Sequence, residues 1–191
     1  MLREISLHIL DLAQNSIKAR ASHIQIFLCA QKCTGLLCVK IEDDGCGMSQ
    51  AFLDSVEDPF TTSRTTRKVG MGIPFFKLAC VQSGGEFRIR SQEGKGTCLE
   101  GTMVLNSIDR LPLGNLGQTV RFLIMESPEL RYTVSLSAEG REAVIDTDRL
   151  KEELGEVPID THEILEWIEA FINEHVVNIF GGVLNEIVRG A

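Results

Sequence analysis

Three short glycine segments stand in a fixed order along the chain: Asp43-Asp44-Gly45-Cys46-Gly47-Met48, Gly70-Met71-Gly72-Ile73 and Gly94-Lys95-Gly96-Thr97. Glycine lets a backbone adopt positive φ and approach a ligand closely. The middle segment opens a helix, GIPFFKLACVQ, with Pro74 near its start and Gly84-Gly85 past its end, the usual start and stop signals. Free N–H groups and the positive end of the helix dipole at such a start suit a phosphate. No segment reads GxxxxGK[ST], so the phosphate site is not a P-loop.

The elements between these segments can be placed from periodicity. Residues 3–20 carry Ile5, Ile9, Leu12, Ala13, Ser16 and Ile17 on one helical face. His8, Asp11, Asn15 and Lys18, at steps of three, four and three, share the other. The runs 23–29 and 36–42 alternate as strands around a short polar turn and predict a hairpin. A short helix follows at 50–56, capped by Ser49. Residues 57–70, EDPFTTSRTTRKVG, read as a polar loop. EFRIRS and 97–105 read as strands around the turn EGKG. Residues 106–117 read as a linker. Beyond it, QTVRFLIME (118–126) and LRYTVSLSA (130–138) read as strands, EAVID (142–146) as a third, and 148–154 and 161–180 as helices. The division is therefore 1–105, a linker 106–117, and a small α+β region 118–191. That region offers no motif; its two strands and amphipathic helix suit pairing with a second copy or docking a partner. Tyr132 and Trp167 there are expected in a core or interface, and Glu163, Glu166 and Glu169 on a solvated face.

Composition narrows the function classes. A net charge of -8 argues against coating nucleic acid, which takes clustered Lys and Arg. A mononucleotide needs only a few local donors. No apolar run approaches the roughly 20 residues of a membrane span, and MLREISLHILDLAQNS reads as an amphipathic helix, not a leader, so a cytoplasmic location is expected. The six cysteines, at 29, 33, 38, 46, 80 and 98, include no CxxC pair with matching histidines; reduced thiols are expected, not a metal site.

The ordered motifs resemble those of the GHKL superfamily, whose nucleotide site is the Bergerat fold. LDLAQNSIKARASHIQI is similar to the asparagine box, most like that of MutL proteins. DDGCGM resembles the DxGxG box, DPFTT the phenylalanine box at the start of an ATP lid, and VGMGIPFFKLACVQSGGEFRIRSQEGKGTCLEGTMVL the closing stretch of a histidine-kinase catalytic domain. The resemblance covers about residues 4–105. It implies an α+β fold, a two-layer sandwich with a mixed, mainly antiparallel sheet and helices on one face. It also implies ATP and Mg²⁺ as cofactors. Asn15 matches the metal-coordinating asparagine, and Lys18 a basic position near the phosphates. Asp43 matches the carboxylate that accepts from the adenine amino group; an ionised carboxylate only accepts, which selects adenine over guanine. Gly45, Gly47 and Met48 would shape the adenine pocket and Thr97 reach adenine directly or through water. Gly70, Met71, Gly72 and Ile73 would meet the phosphates, with Arg64, Arg67 and Lys68 as lid cations.

Asp11 departs from the pattern. Hydrolysing relatives usually place a glutamate general base there. Asp is shorter by one methylene, about 1.5 Å, and displacement on that scale can slow a reaction about a hundredfold. His8 is expected as a structural histidine; a kinase's phospho-accepting histidine lies on a helix before the catalytic domain, and the chain begins almost at the asparagine box. Three functions follow from the resemblance. One is an ATPase or protein kinase module acting on a partner protein in signalling or regulation. Another is a catalytically weak module whose binding to a partner is gated by ATP and ADP. The third is a MutL-like repair component, which the acidic charge and short length oppose.

Overall fold

The computed structural model describes residues 2–56 and 71–184. Helix α1 (Ile5–Lys18) leads into strands β1 (His23–Gln31) and β2 (Leu36–Asp43), then α2 (Gln50–Val56), α3 (Gly72–Gln82), β3 (Phe87–Gln92) and β4 (Gly96–Val104). The chain continues through α4 (Leu116–Glu126), β5 (Arg131–Ala138), β6 (Arg141–Asp146), α5 (Thr147–Leu154) and α6 (His162–Phe180).

The strands form one six-stranded sheet in the order β3-β4-β2-β1-β5-β6. Every neighbouring pair is antiparallel except β1 with β5, which run parallel. This is the mixed, mainly antiparallel sheet expected. Buried residues alternate with half-buried ones along β2, and likewise along β1, β4 and β5, which marks one face packed beneath helices and one partly open. α1 lies over β1 and β2, α3 over β3 and β4, and α6 over β5 and β6. Ile5, Ile9 and Leu12 are fully buried on the sheet-facing stripe of α1, each stabilising by about 1.5–3 kcal/mol relative to exposure.

The expected division at 105 and 118 does not interrupt this sheet, because β5 pairs with β1 along its length, from His23 opposite Arg131 to Ala30 opposite Ala138. The segment read as a linker also has a structural role. α1 starts at Glu4 with no capping side chain, and a helix start leaves its first N–H groups without partners. The carbonyls of Pro112 and Leu113 accept from the N–H groups of Ile5 and Ser6, at 2.9 and 2.8 Å.

Residues 118–126 are not a strand; they lie in α4. Asn115 caps it, accepting from Gln118 N at 2.8 Å, and Leu116, Val120, Leu123 and Ile124 are buried at helical spacing. The β-branched and aromatic content of this run favours a strand locally, and packing against α1 and α6 overrides it. Tyr132 is buried as expected, and its hydroxyl donates toward the Leu123 and Ser127 carbonyls at 2.9 and 3.2 Å, pinning the end of α4. Trp167 is half exposed and stacks on Phe171. Glu169 turns toward α4, where Arg121 donates to it at 3.1 Å, so the expected solvated face holds for Glu163 and Glu166 but not for Glu169.

Candidate functional site

The site is built around α1. A helix rises 1.5 Å per residue, so Asp11 and Ser16 stand about 7.5 Å apart along its axis. The helix thus spans from the start of α3 to the turn after β2.

At the β2 end, Asp43 is buried. Its Oδ2 accepts from the Ser16 hydroxyl at 2.7 Å and its Oδ1 from the Gly45 N–H at 2.9 Å. Asp43 sits opposite Thr97 in the β2–β4 register, and Thr97 opposite Ser91 in the β4–β3 register. Thr97 is buried, with its hydroxyl 2.9 Å from that of Ser91. Met48 N donates to the Ser91 hydroxyl at 2.9 Å. Asp43, Gly45, Met48 and Thr97 therefore converge. Ser16 and Ser91 were not singled out from the sequence: Ser16 reads as part of the apolar stripe, and Ser91 as an ordinary strand residue. The one signal for Ser91 is its position across a tight turn from Thr97.

The first and third glycine segments pack on each other. Cys46 N donates to Ala19 O at 2.9 Å, closing the turn onto the end of α1, and Gly94 N donates to Cys46 O at 2.8 Å. Gly47, at φ +65°, faces the Gln92 carbonyl so closely that a Cβ would overlap it; Gly96, at φ +102°, stands in the same relation to the Asp43 carbonyl. Positive φ and the missing side chain are both required there. Asp44 ties the same corner by accepting from the N–H groups of Ser22 and His23 at 2.7 and 2.9 Å. Burial works to raise its pKa, but the hydrogen bonds from Ser22 and His23 prevail and hold it below the usual carboxylate range.

At the α3 end, Gly72 lies against Asp11, where a Cβ would overlap the carboxylate. The half-buried Asp11 and Asn15 are one turn apart on the same face of α1. Lys18 is exposed in the last turn, where a cation complements the helix dipole. Ile73 is buried, while Met71 is exposed and borders a shallow groove lined by Leu7, Leu10, Asp11, Gln14 and Phe75. That groove opens beside Asp11, not over Asp43. His8 does not share the solvated face its spacing suggests. It is fully buried, 5.9 Å from Phe76 between ring centroids, and neither ring nitrogen has a hydrogen-bond partner among the described residues. Burial holds its pKa below the ordinary histidine value, with the Asp11 charge opposing. Arg64, Arg67, Lys68 and Gly70 lie outside the described residues.

Among the described residues no three His, Cys, Asp or Glu side chains cluster as metal ligands, and all six cysteines are free thiols. Asn15 and Asp11 supply hard oxygen donors side by side, the donor type that suits Mg²⁺ when phosphates and waters complete its shell. No helix among the described residues is long and apolar enough to cross a membrane.

Comparison with known proteins places this architecture. Residues 3–107 match the family model described as histidine kinase-, DNA gyrase B-, and HSP90-like ATPase. A putative sensor protein of Shewanella frigidimarina is 31% identical over 91 residues, 47% of this chain and 14% of that protein. The sensor histidine kinase ZraS of Escherichia coli is 27% identical over 106 residues, 56% of this chain and 23% of the kinase. The chain thus spans less than a quarter of the length of these curated relatives. Among solved structures, the N-terminal domain of a DNA repair protein superposes with a TM-score of 0.50 at 13% identity, covering 75% of this chain and 52% of that one; this is a likeness of fold. The family match spans more than half the chain, and the sheet, the helices and the ordered glycine turns agree with it. The chain belongs to the histidine kinase-, DNA gyrase B- and HSP90-like ATPase family, the GHKL superfamily.

Proposed function

We propose that this chain binds Mg-ATP in a single site spanned by α1, with adenine at the Asp43 end and the phosphates at the α3 end, and that it acts on a partner protein in signalling or regulation. The observation that carries the reading is Asp43: a buried carboxylate held by Ser16 and Gly45, beside Thr97, with Asn15 and Asp11 farther along the same helix. An ionised carboxylate fixed in this way accepts from an exocyclic amine and repels an oxo group. Asn15 would hold Mg²⁺ through its amide oxygen. When bound, the ion neutralises phosphate charge. Lys18 and the lid cations Arg64 and Lys68 are assigned to the phosphate tail, and Gly70, Met71, Gly72 and Ile73 to the backbone that meets it. Asp11 is assigned as a general base acting through a water, since an aspartate carboxyl stands about 1.5 Å short of a glutamate's.

Calorimetric titration of ATP and ADP with Mg²⁺ tests binding; one saturable site per chain is expected. Phosphate release by wild type and Asp11→Asn tests turnover: slow release is expected from wild type, falling by at least about tenfold in the variant. The close packing of Asp11 on Gly72 favours a second reading, in which turnover is minor and nucleotide state gates a partner. Binding of both nucleotides without release or transfer of phosphate selects that reading. Residues 118–191 are assigned to partner contact or self-association, with the half-exposed Trp167–Phe171 stack as the candidate surface; light scattering of wild type and Trp167→Ala tests self-association.

A further inference from the structure

We propose that Ser91 turns the Thr97 proton away from the base, so that Asp43 and Thr97 present hydrogen-bond acceptors alone and meet the base directly at its exocyclic amine and not at the adjacent ring nitrogen. The proposal rests on the nucleotide-binding reading above and names the residue that sets its base specificity.

The argument is an accounting of protons. A serine hydroxyl has one proton and two lone pairs. The Ser91 oxygen has three polar neighbours, Met48 N, Gly96 O and Thr97 Oγ1, each at 2.9 Å. The Met48 N–H only donates, so it takes one lone pair. The Gly96 carbonyl only accepts, so it takes the single Ser91 proton. What remains on Ser91 is one lone pair, and Thr97 meets it by donating. No other assignment satisfies all three contacts, and partly buried polar groups left unpaired are destabilising.

The same accounting extends along the row. The Ser16 proton goes to Asp43 Oδ2, and Asp43 Oδ1 accepts from Gly45 N. Ser16, Asp43, Thr97 and Ser91 thus form a hydroxyl–carboxylate–hydroxyl–hydroxyl row in which every proton is committed within the protein. What Asp43 and Thr97 offer to a ligand is lone pairs. An exocyclic amine brings two protons to such a wall. A ring nitrogen with its own lone pair finds no direct donor on either side chain. A site built to accept from an N–H strongly rejects the analogue that lacks it, while losing an atom the site never bonds changes little.

Three nucleotides separate these cases: ATP; 1-deaza-ATP, which keeps the amine and replaces ring nitrogen N1 by C–H; and purine riboside triphosphate, which keeps N1 and lacks the amine. Dissociation constants with Mg²⁺ are measured by calorimetry on the full chain. For wild type, 1-deaza-ATP is expected within about fivefold of ATP, and purine riboside triphosphate weaker by at least about tenfold, the loss of one hydrogen bond to a charged group. In Ser91→Ala the Thr97 proton is released to face the base, and the 1-deaza-ATP penalty is expected to rise to about tenfold. A wild-type 1-deaza-ATP penalty above about fivefold, or a penalty unchanged in Ser91→Ala, overturns the role of Ser91 while leaving ATP binding intact. Failure of ATP to bind, or equal binding of the amine-free analogue, overturns the underlying site reading instead. The wild-type comparison stands by itself if Ser91→Ala does not fold.

Discussion

The two ends of α1 contrast in how their polar groups are treated. At the Asp43 end, donors meet acceptors inside the protein: Ser16 and Gly45 on Asp43, Met48 and Thr97 on Ser91, Ser22 and His23 on Asp44. At the Asp11 end, His8 is fully buried with neither nitrogen partnered among the described residues, and Asp11 lies against the bare backbone of Gly72. One end is rigid before any ligand arrives. The other holds a buried imidazole that no described residue partners. Preorganisation suits recognition of a fixed aromatic shape, and unsatisfied buried groups concentrate where chemistry or rearrangement occurs.

Substitutions at the two ends should therefore behave differently. The largest effect is expected from Gly96→Ala. Its φ of +102° and the Asp43 carbonyl against it leave no room for a side chain, and the neighbour is backbone. A loss of about 3 kcal/mol or more in denaturant unfolding is expected; a midpoint close to wild type would break the rigid-end description. Gly72→Ala also meets an obstruction, but it is the far end of the Asp11 side chain, which can rotate. Its stability loss should stay below about 2 kcal/mol, while phosphate release falls and ADP affinity is nearly unchanged.

His8→Leu sharpens the contrast in the opposite sense. Replacing a buried, unpaired imidazole by an apolar group of similar size should be neutral or stabilising by about 1 kcal/mol. Burial depresses the His8 pKa, so the unfolded chain binds that proton more readily. Wild-type stability from this group is present above the ordinary value of 6.5 and is lost as pH falls through the depressed folded value. The advantage of His8→Leu should thus widen on acidification below about pH 6.5. Thermal midpoints at several pH values read this; an advantage constant with pH would contradict it.

The smallest effect concerns two acidic anchors away from Asp11. Arg131 donates to Asp146 and holds its carboxyl below the usual range, against its burial, with help from the Asp148 N–H; Asp44 is lowered as well. Both contribute stability that is present above the ordinary value of 3.8 and lost as pH falls through their lowered folded values. Asp146→Ala removes the α5 cap as well, for about 1 kcal/mol at neutral pH, and should flatten the acid limb of the stability curve.

What could be read from the sequence divides along physical lines. The α1 helix, the β1–β2 hairpin and the turns at Gly45–Gly47 and Gly94–Gly96 follow from local periodicity and turn chemistry. The parallel pairing of β1 with β5 joins residues more than a hundred positions apart, and no local pattern encodes it. QTVRFLIME reads as a strand because its composition favours one, while its helix cap, Asn115, sits in a stretch that looks like a linker. His8 was misplaced for a related reason: a helical wheel gives angles, not the identity of the covering element, here Phe76 of α3. Ser16 and Ser91 became visible only through their contacts.

The account depends most on Asp43 as the acceptor for an amino group. Calorimetry of ADP with Mg²⁺ on wild type and Asp43→Asn tests it directly. The variant keeps the shape of the side chain and replaces one accepting oxygen with a donor. Affinity should fall by at least about tenfold, with the far-ultraviolet circular dichroism unchanged. Equal affinity in a folded Asp43→Asn protein would contradict the claim that this end of α1 recognises the base.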